Sequence, residues 1–156
     1  MTLCIVGAGE MGRWLAGAVD AELAFADTDD AAARAAADTF DAETVPLVDG
    51  TPERDRQFDV VCLAVPMPAV AEAVDDWAPF TAHAMFDLSG VMTPAVEAMR
   101  ERLPNRERAS IHPLFAAARA PGNVAVVPDE VGETLDPVLA NLRNAGNNLF
   151  ETTPEE

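Results

Sequence analysis

The chain has 156 residues, a length typical of one domain and sufficient to bury a sizeable hydrophobic core. Its 27 acidic and 10 basic residues give a net charge of −17, which argues against nucleic acids and anionic membrane surfaces as partners. No signal peptide opens the sequence and no apolar run approaches the roughly 18 residues of a membrane span, so a soluble cytoplasmic protein is expected.

The basic residues are all arginine, tyrosine is absent, and 49% of the residues are hydrophobic. This hydrophobic content, together with clear periodicity, argues against a disordered polyanion. A salt-rich cytoplasm explains the acidic surface better, because salt screens the repulsion among the carboxylates while they keep the protein hydrated. We therefore expect a halophilic, haloarchaeal-like protein.

The segment Thr2–Val6 is a short apolar run with β-branched residues, which is typical of a buried parallel strand. Gly7, Gly9 and Gly12 follow it in the pattern G-x-G-x-x-G, and a helical stretch comes next. In a dinucleotide-binding turn, the first glycine permits the turn, the second lets a diphosphate approach the backbone, and the third lets the helix pack on the strand. The N-terminus of the helix then offers N–H groups and a positive dipole end to the phosphates.

Asp27 lies twenty residues after Gly7, at the end of the next apolar run. A carboxylate there can accept both hydroxyls of an adenosine ribose and would repel a 2′-phosphate, so NAD is favoured over NADP as cofactor. The alternative is a glycine turn whose aspartate merely caps the next helix. The cofactor-binding residues predicted in this part of the chain are Gly7, Ala8, Gly9, Glu10, Met11, Gly12 and Asp27.

Strands and helices alternate along the rest of the chain, which predicts an α/β fold of the Rossmann type. Its doubly wound, mainly parallel sheet forms a single domain over residues 1–156. The further strands are predicted at Leu23–Ala26, Thr44–Val48, Asp59–Val65, Ala84–Leu88, Ala109–Ile111, Asn123–Val127 and Asn147–Thr152. The further helices are predicted at Asp29–Phe40, Ala69–Trp77, Ala95–Arg102 and Glu133–Asn144. Pro46 indicates an edge position for its strand. Cys4 and Cys62, in predicted interior strands, are expected to be small buried hydrophobes.

The loop after the strand Asp59–Val65 should reach the carboxyl edge of the sheet, because in a doubly wound sheet this strand lies beside the first one. Val65 and Pro66 are therefore predicted to form a wall beside the cofactor. A simple connector between strand and helix is the alternative.

Proton transfer at neutral pH points to histidine, and the sequence has two. The absence of tyrosine and lysine excludes the Tyr–Lys pair of short-chain dehydrogenases. His83 is expected to be an ordinary surface histidine. His112 ends a predicted strand at the ligand-binding edge of the sheet and is the candidate catalytic residue, with a structural histidine as the alternative. Ser89 is its nearest candidate hydroxyl partner, or else a turn cap. No metal site is predicted.

Several segments together resemble the nucleotide-binding domain of prephenate and arogenate dehydrogenases. The specific ones carry the motifs D-L-S-G-V and I-H-P-L-F, whereas many families share the glycine motif. The matching segments are Gly7–Arg13, Ala64–Pro66, Asp87–Val91, Ile111–Phe115 and Thr152–Glu156.

The resemblance implies an NAD-dependent oxidoreductase that oxidatively decarboxylates prephenate to 4-hydroxyphenylpyruvate in tyrosine biosynthesis. It implies that His112 hydrogen-bonds the ring hydroxyl of the substrate and helps to remove its proton. An ungapped match places the serine of the family at Gly90, so Ser89 takes that role only with a shift of one residue. Met92 stands where lysine is common, and Ala116 stands where glycine is common.

The family continues into a helical domain that forms the dimer and supplies further substrate-binding side chains, including an arginine. The chain is therefore expected to be an excised cofactor domain, with a natural short form as the alternative. It should bind NAD but turn over its small-molecule substrate, prephenate or arogenate, poorly or not at all, because the cleft is open to water. The alternatives are another NAD(P)-dependent reductase of the hydroxyacid-dehydrogenase type and a non-catalytic dinucleotide sensor, which would not need His112.

The acidic composition predicts that the folded chain depends on salt. Removing salt restores the repulsion among the carboxylates, so the melting temperature should fall when molar salt is dialysed away. Thermal unfolding followed by circular dichroism in low and in molar salt measures this change. Equal melting temperatures under the two conditions would contradict the halophilic assignment.

Overall fold

The computed structural model describes residues 1–90 and 92–155 of the chain. Within them, apolar and β-branched segments form strands, and the segments rich in alanine and leucine form helices. The strands are β1 (Thr2–Val6), β2 (Glu22–Ala26), β3 (Glu43–Thr44), β4 (Leu47–Val48), β5 (Thr51–Pro52), β6 (Phe58–Leu63), β7 (Thr81–Asp87), β8 (Glu107–Pro113), β9 (Asn123–Glu130) and β10 (Asn148–Glu151). The α-helices are α1 (Glu10–Ala18), α2 (Asp30–Phe40), α3 (Val70–Trp77), α4 (Met92–Arg102) and α5 (Leu135–Asn144).

Eight of these strands form one sheet in the order β10-β9-β8-β7-β6-β1-β2-β3. The strands from β8 to β3 in this order are parallel to their neighbours, whereas β9 runs antiparallel to β8. The chain leads from the central β1 to β2 and β3 on one side, and then to β6, β7 and β8 on the other. This reversal is the switch point of a doubly wound sheet, and the predicted fold class is confirmed.

Helices cover both faces of the sheet. On one face, α1, α2 and α5 contribute side chains such as Leu15 and Leu142 to the core cluster that contains Phe25. On the other face, α3 and α4 bury Trp77 and Met99. Because successive residues of a strand point to opposite faces, the inner strands are buried on both sides, which explains their nearly continuous apolar sequences.

The helices are short and amphipathic. In α5, for example, the buried residues Leu135, Val138, Leu139 and Leu142 recur at the spacing of one helical face. Among residues 1–90 and 92–155, no helix combines the length and the apolar character needed to cross a membrane.

Cys4 and Cys62 are fully buried in β1 and β6, as predicted. Burial raises the pKa of both thiols well above the ordinary value. The two thiols therefore stay protonated and act as small core side chains.

The segment after α2 differs from the prediction of one strand over Thr44–Val48. β3 lies at the edge of the main sheet, whereas β4 pairs antiparallel with β5 in a separate hairpin. Pro46 divides the two elements, because proline lacks the N–H that a continuing ladder needs. Asp49 and Gly50, both at positive φ, form the turn of the hairpin.

His83 lies within β7, not before it, and its side chain is exposed, as expected of a surface histidine. Its Nε2 atom is 3.7 Å from Oδ1 of Asp59 on the neighbouring strand β6. This polar neighbour was not predicted from the sequence, because the contact depends on the pairing of β6 with β7.

Candidate functional site

The carboxyl ends of β1, β2, β6 and β7 meet at one edge of the sheet and border a cleft of about 830 Å³. The β4–β5 hairpin closes one side of this cleft through Leu47 and Gly50. The predicted site residues that line the cleft are Gly7, Gly9, Glu10, Met11, Asp27, Val65, Pro66 and Ser89. Ala8 and Gly12 are buried behind this lining. The structure therefore brings the predicted cofactor-binding set together at the switch point.

Two of the three motif glycines are required by the fold itself. Gly7 has φ +111°, and a Cβ there would lie 2.2 Å from the carbonyl oxygen of Ala64. A Cβ at Gly12 would lie 2.1 Å from the carbonyl oxygen of Gly7. These contacts let β1, α1 and the end of β6 approach one another more closely than any other residue would allow.

Gly9 is different, because nothing in the fold requires a glycine there. Its φ is −82°, which any residue can adopt, and a Cβ at this position would meet nothing within 4 Å. Gly9 is also the N-cap of α1, and no side chain caps this helix end. An open approach to uncapped N–H groups at a helix N-terminus is the arrangement that suits a phosphate. A purely structural glycine turn explains Gly7 and Gly12 but leaves Gly9 unexplained.

Asp27 follows β2 and forms part of the cleft wall. Its Oδ2 accepts a hydrogen bond of 2.8 Å from the Ala8 N–H, and its Oδ1 accepts one of 2.8 Å from the Asp29 N–H. These bonds fix the carboxylate beside the glycine turn and leave each oxygen a second lone pair for a ligand hydroxyl. Asp29, not Asp27, caps α2 by accepting from the Ala32 N–H, so the helix-cap alternative for Asp27 is wrong.

The described residues that line the cleft offer no positive side chain to an additional phosphate. None of its described lining residues is basic, and Glu10 and Asp27 are acidic. A ligand that carried a further phosphate beside Asp27 would meet repulsion without compensation.

His112 lies near the end of β8 and lines a second, smaller cavity of about 170 Å³. Apolar side chains make up much of its wall, among them the exposed Leu114 and Phe150. The imidazole packs against Gly90, where an added Cβ would lie 2.7 Å from Cε1 of the ring. Gly90 has φ +80°, so this close approach also suits the backbone conformation that glycine favours.

Ser89 and His112 face different spaces. Ser89 lines the large cleft, and its hydroxyl donates a hydrogen bond to Oδ2 of Asp87. Gly90, the next residue, is the one that contacts the His112 ring. The structure thus brings Gly90, rather than Ser89, against the histidine, and this is the position at which the ungapped match placed the serine of the family.

Asp87 and Ser110 were not predicted from the sequence as candidate site residues. Both are completely buried, Asp87 at the carboxyl end of β7 and Ser110 beside it in the middle of β8. Burial raises the pKa of Asp87, although the hydroxyls of Ser89 and Ser110 offset part of this effect. The only signal in the sequence was a polar residue at an inward position of each buried strand, but no local motif distinguishes such residues from turn caps.

The doubly wound sheet and its edge cleft place the chain in the class of α/β domains with a Rossmann-type fold. Prephenate dehydrogenase from Aquifex aeolicus, solved with hydroxyphenyl propionate and NAD+, superimposes with a TM-score of 0.77 at 18% identity, covering 99% of this chain and 60% of that chain. Synechocystis arogenate dehydrogenase gives a TM-score of 0.76 at 16% identity, covering 99% and 60%. A conserved protein described as structurally similar to 3-hydroxyacid dehydrogenases gives 0.70 at 13% identity, covering 97% and 57%.

At these identities the comparisons establish the fold. The resemblance drawn from the sequence motifs is thus confirmed as a likeness of fold to prephenate and arogenate dehydrogenases. The chain spans about three fifths of the length of these dehydrogenase structures. No protein-family model matches the chain, and no curated protein matches its sequence.

The different surroundings of the three motif glycines predict different effects of substitution by alanine. Gly7→Ala and Gly12→Ala should each destabilise the fold by at least about 2 kcal/mol, because the new Cβ meets backbone atoms that cannot move aside. Gly9→Ala should change the free energy of unfolding by less than about 1 kcal/mol. Alanine is a poorer N-cap than glycine, which destabilises the fold, but it also makes the unfolded chain less flexible, which stabilises the fold by a similar amount. Denaturant unfolding in molar salt measures all three. Similar losses for Gly9→Ala and Gly12→Ala would contradict this division.

Proposed function

We propose that the chain is the NAD-binding domain of an oxidoreductase that resembles prephenate dehydrogenase. The observation that carries the proposal is the open approach at Gly9, which lies between an uncapped helix N-terminus and the fixed carboxylate of Asp27. The fold requires no glycine at this position, whereas a bound diphosphate does.

The described residues fit a nicotinamide dinucleotide. The first-turn N–H groups of α1, beside Gly9, would hold the diphosphate. The carboxylate of Asp27 would accept the ribose hydroxyls, and the absence of basic side chains among the described lining residues favours NAD over NADP. Val65 and Pro66, after β6, would form the wall on the other side of the cofactor. When bound, NAD supplies the hydride acceptor.

His112 is the residue that we assign to proton transfer. Its ring lines the cavity next to the cleft, and the adjacent residues Ser89 and Gly90 separate the two spaces. A substrate in this cavity would present a ring hydroxyl to the imidazole, which would accept the proton as hydride leaves and carbon dioxide is lost. The Aquifex aeolicus neighbour was solved with hydroxyphenyl propionate and NAD+, which supports an aromatic acid as the substrate class.

The activity of a complete enzyme would need more than these residues. The neighbours extend well beyond the matched region, so we infer that a further, helical domain supplies the remaining substrate contacts and the dimer interface. We also propose that the protein is cytoplasmic, that it works in a salt-rich environment and that its substrate is prephenate or arogenate. Without that domain the cleft admits water, and turnover should be poor.

A hydroxyacid dehydrogenase or reductase is the second candidate function. The likeness to a protein related in structure to 3-hydroxyacid dehydrogenases favours it. The lack of any lysine in the sequence counts against it, because enzymes of that type usually rely on a catalytic lysine or on later helices.

Calorimetric titration with NAD and NADP tests the cofactor assignment. The chain should bind NAD at least about 10-fold more tightly than NADP, since Asp27 repels a 2′-phosphate. Asp27→Asn should weaken NAD binding by about 1–2 kcal/mol, because a charged hydrogen bond to the ribose is lost. The same substitution should reduce the preference for NAD over NADP. Asp38→Asn, an exposed position on α2, removes the same charge and is the matched control.

The cofactor assignment would be overturned by either of two results. One is the absence of NAD binding at millimolar concentration by a chain that melts cooperatively. The other is an equal loss of NAD affinity in Asp27→Asn and Asp38→Asn, which would reduce the effect of Asp27 to net charge.

The two histidines provide a test of the substrate site. With saturating NAD, prephenate should shift the ring signals of His112 in NMR spectra and leave those of the exposed His83 unchanged. NADH should form at well below about 1% of the typical enzyme rate of ~10 s⁻¹, because the cleft is open. Equal shifts of both histidines, or none, would contradict the substrate site, and rapid NADH formation would contradict the need for a further domain.

A further inference from the structure

Three buried side-chain polar atoms have no hydrogen-bond partner within residues 1–90 and 92–155. They are Oδ1 of Asp87, Oγ of Ser110 and Nδ1 of His112. Buried polar groups are nearly always hydrogen-bonded, and an orphaned one is costly, so each such atom calls for an explanation. All three lie on the neighbouring strands β7 and β8, close to the level at which β7 ends, which suggests one explanation for the set.

The sheet places the three side chains in a row. Asp87 on β7 is the register partner of Ser110 on β8, and His112 follows Ser110 by two residues. Residues two apart on a strand point to the same face. The intervening residue Ile111 and the preceding Ala109 belong to the core cluster on the opposite face, so the row points toward α3 and α4.

The surroundings of this row are apolar. Ala125 and Val127 of β9 lie opposite His112 and Ser110, respectively, in the antiparallel ladder. They form a small buried cluster with Met92 and Val96 of α4. The polar atoms of the row therefore have few candidate partners besides one another.

Asp87 anchors the row at its buried end. Its Oδ2 accepts hydrogen bonds from the hydroxyl and the N–H of Ser89, while Oδ1 has no hydrogen-bond partner among the described residues. The Ser110 hydroxyl lies near enough to the carboxyl to offset part of the effect of burial on the pKa of Asp87, although the two groups fall short of the geometry of a full hydrogen bond.

We propose that Asp87 and Ser110 are positioning residues that fix the tautomer and orientation of His112. This inference rests on the proposed function. The Nδ1–H of the neutral ring donates toward Ser110, directly or through one bound water, and the Ser110 hydroxyl donates to Oδ1 of Asp87. The other ring nitrogen, Nε2, then carries the lone pair and can accept a proton from a substrate hydroxyl in the cavity.

In this arrangement Asp87, Ser110 and His112 have separate roles. The carboxyl group of Asp87 does not touch the substrate and takes up no proton from it. It orders a hydroxyl, which in turn orders the ring, so that the basic nitrogen is the one directed away from the row. Without the row, a neutral imidazole is free to place its proton on either nitrogen.

The tautomer of His112 is measured directly by long-range ¹H–¹⁵N correlation spectra of the ¹⁵N-labelled chain. The spectra are recorded without NAD or substrate, in molar salt and at an alkaline pH where imidazole rings are neutral. His112 should be mainly in the Nδ1–H form. His83, whose Nε2 faces Asp59 at 3.7 Å, should be in the Nε2–H form and is the internal reference.

Variants separate positioning from general stability. Ser110→Ala and Asp87→Ala each break the chain of hydrogen bonds and should move His112 from mainly Nδ1–H to mainly Nε2–H, leaving His83 unchanged. Ser110→Thr keeps the hydroxyl and should retain the Nδ1–H form. Ser89→Ala removes the other hydroxyl that donates to Asp87 but not the link to the ring, and should also retain it.

Two results would overturn the inference. The first is a wild-type His112 that is mainly in the Nε2–H form, a measurement that stands even if a variant fails to fold. The second is an unchanged His112 tautomer in a folded Ser110→Ala chain. Because no cofactor is present, either result is independent of whether the chain binds NAD, so failure here is distinguishable from failure of the proposed function.

Discussion

The close approach of Gly7 to Ala64 is the contact on which the site depends. A Cβ atom added at Gly7 would lie only 2.2 Å from the carbonyl oxygen of Ala64, so the turn after β1 lies directly on the end of β6. The Gly7 N–H donates to the carbonyl of Ala26 at the end of β2, and the Ala64 N–H donates to the carbonyl of Val6. Three strand ends are thereby joined through their backbones, and the walls of the cleft are fixed relative to one another before any ligand is bound.

This constraint separates the two roles of the glycine motif. Gly7 and Gly12 make the close packing possible, and any Rossmann-type domain needs them for that reason alone. Gly9 contributes nothing to the packing, because the space beside it is empty. A motif match is thus weak support for a ligand when all its glycines are explained by the fold, and stronger support when one of them is not.

The parts of the fold that could be predicted from sequence are those with local causes. The run Thr2–Val6 and the spacing from Gly7 to Asp27 define a strand, a turn and a second strand end, and all three lie where they were predicted. The antiparallel direction of β9 and the β4–β5 hairpin were not predicted. They depend on which strand each segment pairs with, and the alternation of residues along one strand carries no information about its partner.

The neighbours of His112 illustrate the same limit at the scale of single residues. The sequence suggested Ser89 as its hydroxyl partner, because this serine follows the end of the preceding predicted strand. The positive φ of Gly90 turns the chain so that Gly90 meets the ring and Ser89 faces the cleft. The hydroxyl on the same face as the ring belongs instead to Ser110, two residues earlier on the strand of His112, and only the register of β7 with β8 brings Asp87 beside it. In this chain residue 90 is glycine and has no hydroxyl to offer the histidine. The proposed row of Ser110 and Asp87 would orient the ring in its place, from the strand that carries His112 and from its neighbour.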